Sequence, residues 1–303
     1  MILKVFELLP KVIEMRSLWL MLFLVKAVMA LLLALPFFMT VNSFLATSAF
    51  ARPLAGAWDL SVLLELVGVV GESLPALIMI VISGIIVYVL IKQFFNGGLY
   101  YTVVSGKTGD IDWRTFFAES GSRFMMHVRI TLLMGLIYMA LIFAGMFIIG
   151  LIDTMAGGPM GFGAMVLSAL KLGVLFYLLL AASFFSDSAR AAATAHPDKK
   201  TGEVLNTGAD FFRPRLLRLT VAFLVTYVPF VLIWVAFERL ALGVTGQGLG
   251  VVGIVVEGIF FQVCAVLRTG QKLWFLTFFG KEFRGFSQGR FLPEQVELRF
   301  DDR

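Results

Sequence analysis

The feature that most constrains this chain is an apolar run of about twenty residues that keeps returning. A helix of that length rises about 30 Å at about 1.5 Å per residue, which matches the hydrocarbon core of a bilayer. Six such runs are present, at 18–39, 74–95, 128–152, 163–185, 216–237, and from 249 to an end between 268 and 279. Composition agrees, with 59% hydrophobic and 15% charged residues and a mean hydropathy of +0.92, far from the range of soluble domains. A spanning segment must satisfy its own backbone groups, and these runs lack the alternation of barrel strands. The expected class is all-α: a polytopic integral membrane protein with six transmembrane helices. Arg268 and Lys272 interrupt the sixth run, so its last part is expected along or beyond the interface.

Orientation follows from lysine and arginine. The leader carries Lys4, Lys11 and Arg16, and the second connection Lys107, Arg114 and Arg123. The fourth connection has Arg190, Lys199, Lys200, Arg213 and Arg215, and the tail Lys281, Arg284, Arg290, Arg299 and Arg303. The other connections hold only Arg52 and Arg239. Both termini are therefore expected on the cytoplasmic side of a bacterial inner membrane. The net charge of +5 and pI of about 9.4 express this sidedness rather than nucleic-acid binding, with anionic headgroups as the expected counter-charge. Ala49-Phe50-Ala51 has the form of a signal-peptide cleavage site, but the preceding run is about twice the usual length, so it reads as a retained first helix. The single Cys264 excludes an intrachain disulfide and a thiol metal cluster.

Gly106-Lys107-Thr108 has the look of the end of a phosphate-binding loop. That loop needs a glycine five residues earlier and a strand before it. Here the position is Tyr101, at the end of a membrane helix, so no nucleotide partner is expected. Lys107-Thr108-Gly109-Asp110-Ile111 instead returns as Lys200-Thr201-Gly202-Glu203-Val204, after an interval of about 90 residues that marks an internal repeat. Phe94-Phe95, Phe184-Phe185 and Phe278-Phe279 keep nearly the same interval, Phe116-Phe117 corresponds to Phe211-Phe212, and Gly68-Val69-Val70-Gly71 recurs as Gly250-Val251-Val252-Gly253. The expected organisation is one membrane domain of three hairpin-like repeats. It comprises an interfacial leader (1–17), a first hairpin (18–95), a cytoplasmic connection (96–127), a second hairpin (128–185), a connection (186–215), a third hairpin (216–279) and a tail (280–303).

The connections read as interfacial amphipathic helices. Asp110 or Asp112 can cap a helix in which Trp113, Phe116 and Phe117 mix with Arg114 and Arg123, and the approach to the fifth run ends in Phe211-Phe212-Arg213-Pro214-Arg215. The leader has the same character. Aromatic and basic residues at this depth are membrane anchors or a docking surface for a cytoplasmic partner, and membrane lipids and a membrane protein partner are the other associations expected of the chain.

Phe94-Phe95-Asn96-Gly97-Gly98, the polar turn at 106–110, and the Phe116-Phe117 helix leading into Arg123 and Arg129 resemble a broad group of bacterial six-helix membrane proteins, among them the membrane regions attached to some glycerophosphodiester phosphodiesterases. The resemblance implies a membrane module without the phosphodiesterase activity. Mitochondrial carriers, also built of three repeats, carry Pro-x-Asp/Glu-x-x-Lys/Arg at the ends of odd helices. In this chain Pro36 is followed by Phe37-Phe38 and Pro229 by Phe230-Val231, which excludes that family.

Ionisable residues within membrane runs are candidates for function, and three stand out: Lys26, Lys171 and Glu257. Lys171 continues a stripe of Gly157, Gly161, Ala164 and Ser168, and Glu257 a stripe of Gly246, Gly250 and Gly253. Small residues on one stripe allow close helix contact. By helical rise Lys171 and Glu257 lie about 10–15 Å from the outer helix ends, so they can meet as an intramembrane ion pair that fixes register, line a substrate or proton pathway, or snorkel without pairing. Lys26 joins them or snorkels.

Catalytic constellations are missing from the sequence. His127 and His196 are the only histidines and stand in no metal-ligand spacing, and neither a catalytic set nor a cofactor is expected. Asp187 and Asp198, or Asp110 and Asp112, read as caps and solvated loop charges, and Ser183, Ser186 and Ser188 lack a recognisable histidine partner. The outer segment 40–73 reads as an amphipathic or re-entrant helix, and glycine-rich turns at 157–163 and 243–250 complete that face. Two function classes remain: a non-enzymatic scaffold or accessory subunit that binds partner proteins or lipids, and a transporter or permease component with a polar site near Lys171 and Glu257.

Overall fold

A computed structural model of the protein describes residues 2–47, 71, 74–107, 109, 111–155, 162–245 and 250–290. The expected outer helix within 40–73, the turns at 157–163 and 243–250, and the tail beyond 290 lie wholly or largely outside them. Among the described residues the only regular elements are helices. They are α1 (Ile2–Phe6), α2 (Leu9–Glu14), α3 (Arg16–Thr47), α4 (Leu74–Ser105), α5 (Trp113–Met155), α6 (Phe162–Ala195), α7 (Thr201–Phe212), α8 (Leu216–Thr245) and α9 (Gly250–Arg290), with a 3-10 turn at Arg213–Arg215 joining α7 to α8. Among the described residues, five stretches are long and apolar enough to cross a membrane: Arg16–Pro36, Pro75–Ser105, Trp113–Ile152, Gly163–Ala195 and Thr201–Arg239. The chain is thus a helical, multi-pass membrane protein. The sixth run falls in α9, where the side chains of 251–257 lie outside the described residues.

The helices run well past the apolar segments that the sequence marks out. The second, fourth and sixth runs were expected to end near 95, 185 and 279, and the third to be preceded by a separate interfacial helix. Instead α4 continues to Ser105, α6 to Ala195 and α9 to Arg290, while α5 is one helix of 43 residues. At about 1.5 Å per residue that is about 64 Å, twice the hydrocarbon thickness. Propensity accounts for α6, where Ala189, Ala191, Ala192 and Ala193 favour helix until Pro197 restricts the residue before it. α4 stops where Gly106 takes φ +77°, a conformation that suits glycine. Asp112 then starts α5, its carboxylate accepting from the Arg114 amide at 3.0 Å and from the Thr115 hydroxyl. These bonds, Thr115 first, hold its carboxyl below the usual carboxylate range.

Two compact units are present. In the smaller, Leu20–Lys92, α3 and α4 meet where Gly84 faces the Leu33 side chain. The larger, Met1–Trp19 with Gln93–Arg303, carries a dense interior of Tyr100, Phe116, Phe184, Phe211, Phe279 and Phe283. Its closest crossings use glycine as a contact surface. A Cβ on Gly98 would stand 2.7 Å from Phe116, and the Gly98 amide donates to Ser120 Oγ at 3.0 Å. Asn96-Gly97-Gly98 is therefore a packing face inside α4, and the helix does not turn there. A Cβ on Gly280 of α9 would stand 2.5 Å from the Val103 carbonyl oxygen. One turn later Arg284 donates to the Val103 and Val104 carbonyls at 2.9 and 3.3 Å, placing a cation at the negative end of α4.

The leader folds against α9. Val5, Leu8, Val12 and Met15 are buried, the Trp274 indole donates to the Val5 carbonyl at 2.7 Å and the Trp19 indole to the Val266 carbonyl at 2.7 Å. By contrast, in the most apolar windows of the five membrane-capable stretches only 6–17% of residues are buried.

These glycine contacts set a stability test. Gly98→Val is expected to lower stability by about 1–3 kcal/mol through overpacking. Gly121→Ala, at a helical site with open space around it, is expected to be neutral or stabilising by up to about 1 kcal/mol. Thermal unfolding of both variants in detergent reads the difference.

Candidate functional site

The most concentrated polar chemistry among the described residues lies where α4, α5 and α6 meet. Glu119, Arg123, His127 and Thr131 recur every fourth residue on α5 and so share one stripe, while Ser183, Asp187, Arg190 and Thr194 do the same on α6 at spacings of four, three and four. Tyr100 closes the group from α4. Its hydroxyl donates to Asp187 Oδ1, and the Arg190 guanidinium approaches the same oxygen at 3.5 Å. Arg190 also donates to Thr131 Oγ1 at 3.1 Å, so one carboxylate and one guanidinium tie all three helices. Asp187 is 4% exposed and Tyr100 1%. This corrects the sequence reading of Asp187 as a solvated charge: α6 carries it past the apolar run and into the interior.

His127 sits beside this junction with 0% exposure, its ring stacked on Tyr100 at 5.9 Å. Arg123 and Arg190 are the charged groups that act on it. Neither ring nitrogen has a hydrogen-bond partner among the described residues, and the same holds for the Nε atoms of Arg123 and Arg190. Arg123 pairs with Glu119 one turn away and covers the Tyr101 ring at 5.4 Å. Farther along the seam Tyr138 contacts Ser183. The chemistry is that of a charge-compensated, hydrogen-bonded seam, which fixes the register of three helices and keeps a few N–H donors in hand. Ser188 donates to the Phe184 carbonyl of its own helix at 2.7 Å, no serine bonds His127, and no metal-ligand group occurs among the described residues.

The residues singled out from sequence are dispersed. Lys26 is exposed on α3 in the smaller unit. Lys171 is half-buried and lines an apolar groove between α5 and α6 with Gly145, Ile148, Ile149 and Leu167. Glu257 lies on α9 with its side chain outside the described residues, as does any pairing with Lys171. Of the aromatic and basic group, Phe116 and Phe211 are interior side chains at 1% and 0% exposure. Phe117 stacks on Phe94 at 6.3 Å and Trp113 meets Phe116 edge-on at 5.6 Å. Phe212 faces Phe185 at 6.0 Å, and Arg215 lies over Phe211 and Phe286 at 5.0 and 5.1 Å. Arg114, Phe117 and Arg213 are the exposed members. His196, outside the seam, is held below the ordinary imidazole range by burial and by Lys199.

The seam was readable in principle, because its fourfold spacing is plain once α5 and α6 are drawn at full length. Ending one run at 185 and starting another at 128 cut each stripe in two. Comparison with protein-family models, curated proteins and solved structures finds no match to this chain.

A double-mutant cycle tests the junction. Arg190→Leu alone leaves the Asp187 carboxylate buried without its guanidinium and is expected to cost about 3–5 kcal/mol. Asp187→Leu with Arg190→Leu is expected to cost less than either single change, as read by thermal unfolding of the three variants.

Proposed function

We propose that the chain is a non-enzymatic integral membrane scaffold or accessory subunit, which binds partner proteins or lipids through the apolar and small-residue faces of its helices. In this reading α9 supplies a sixth span, the three hairpins are repeats, and both termini are cytoplasmic in a bacterial inner membrane. The parallel contacts Phe95–Phe117 and Phe185–Phe212, at 6.2 and 6.0 Å, support the repeat.

The observation that carries the proposal is the placement of the core. Packing is densest along the helix extensions, while large side chains such as Phe143, Phe147, Leu170 and Leu232 stay exposed in the apolar stretches. A transporter needs convergent polar groups around a midplane site, and the groove at Lys171 is otherwise apolar. A scaffold needs helix faces open to the bilayer and to neighbours, which these stretches offer.

Native mass spectrometry of the protein extracted gently from its own membrane tests this reading. A stoichiometric protein partner or a defined retained lipid is the expected result. A lone protein that takes up a small solute into proteoliposomes would overturn it in favour of transport. In that second reading Lys171 is the observation to follow, since it is the charged residue lining the α5–α6 groove. The Lys171→Met and Glu257→Gln variants, singly and together, then report on pairing. Single changes as harmless as the double would remove the ion pair.

A further inference from the structure

We infer that the leader, α1 and α2, lies in the plane of the membrane surface as a lipid-inserted belt across α8 and α9, held there by apolar contact and not by attraction to anionic headgroups. The inference rests on the reading of α9 as a membrane span, and it names the partner of one surface of the proposed scaffold.

The leader has three faces where an ordinary amphipathic helix has two. Val5, Leu8, Val12 and Met15 form the packed face. Ile2, Leu3, Leu9 and Ile13 form a second apolar flank that stays exposed, with Leu3 at 78% and Ile13 at 58% exposure, and Phe6, which meets Trp274 edge-on at 5.3 Å, borders it. Lys4, Glu7, Lys11 and Glu14 form the third face, all exposed. At about 100° per residue the exposed apolar flank and the charged flank point about 130° apart. That is the geometry of a helix with one side toward acyl chains and the other toward water.

Its direction follows from two indole hydrogen bonds. Trp19 reaches α9 at Val266 and Val5 is reached from Trp274, so the leader gains only about 12 Å along α9 over a helical path of about 21 Å. It therefore crosses α9 obliquely, and α1 goes on to pack against α8. Backbone hydrogen bonds continue through Met15 to Trp19, joining the leader to the stretch Arg16–Pro36 that is apolar enough to cross the membrane. The belt is thereby tied to the point where that stretch leaves the bilayer, and the bilayer is the apolar medium within reach. The charged flank carries two lysines and two glutamates at spacings of three and four and so no net charge, which leaves Arg16 as the one excess cation among the leader's side chains. Headgroup charge therefore gives little net attraction.

The test uses the full chain in proteoliposomes, with Cys264→Ala as background and a polarity-sensitive fluorophore on one introduced cysteine at a time. Leu3→Cys and Ile13→Cys are expected to be quenched several-fold more by shallow lipid nitroxides than by aqueous iodide. Lys4→Cys and Lys11→Cys are expected to show the reverse, and Val5→Cys, on the packed face, to be shielded from both. The pattern is expected to be the same in zwitterionic vesicles and in vesicles containing anionic lipid. Iodide access at Leu3 and Ile13 would overturn the inference. So would shielding of these positions from both quenchers, which would mean a protein cover, or lipid quenching only with anionic lipid, which would mean electrostatic docking. Phe261→Cys, exposed on α9, is the separate control: quenching by deep nitroxides supports the span, and its absence would overturn the six-span reading itself.

Discussion

A carboxylate taken out of water must be answered where it stands, and Asp187 is answered by Tyr100 from one helix and by Arg190 on its own, which in turn reaches Thr131 on a third. Much else follows from that requirement. Three helices can share one carboxylate only if their backbones approach closely, and the residues beside the seam are those that permit it. Gly98 lies on Phe116 and Ser120, and Gly208 of α7 lies against the backbone of Ser188 and Ala189. Breaking one partner of such a junction costs more than never having built it, because the remaining charge keeps its burial and loses its compensation.

The seam also explains why the interior is not where hydropathy alone would put it. Lipid is as apolar as leucine, so apolar side chains gain little by leaving lipid for protein, and helix association in a bilayer depends on close packing and polar contacts. The most apolar stretches accordingly remain uncovered by the chain's own side chains. The extensions carry the glycines, serines and charges that make specific contacts. Aromatic rings complete this layer, with Phe211 enclosed by Phe279, Phe283 and Phe286 at 5.0–5.4 Å. A protein arranged this way has a polar-lined layer and open apolar faces.

Class and helix positions were legible because each apolar run announces itself. A helix cap at Asp110 or Asp112 and a polar turn from Gly106 were legible because their local chemistry is specific, and the structure shows Asp112 in the capping role. The helix extensions were not, since hydropathy falls at Asn96 and Ser186 while helicity persists, and Gly97 and Gly98, assigned to a connection, serve as contact surface inside a helix. Asp187 and His127 were misplaced for the same reason: assigned to connections, they lost the fourfold spacing that marks their stripes. The leader was half legible. Its amphipathic character is visible in sequence, but the division of its apolar residues into a packed flank and an exposed flank depends on Trp274, which lies at the other end of the chain.

The most direct test of the central claim is amide hydrogen exchange of the protein in lipid nanodiscs, resolved over 93–127 and 180–196. If the extensions are core helices, their amides exchange as slowly as those of the apolar runs they continue, and fast exchange is confined to the turn around 106–112 and to the residues beyond Ala195. Exchange through 96–105 and 186–195 as fast as in that turn would contradict the account, and would return Asp187 and His127 to solvated connections.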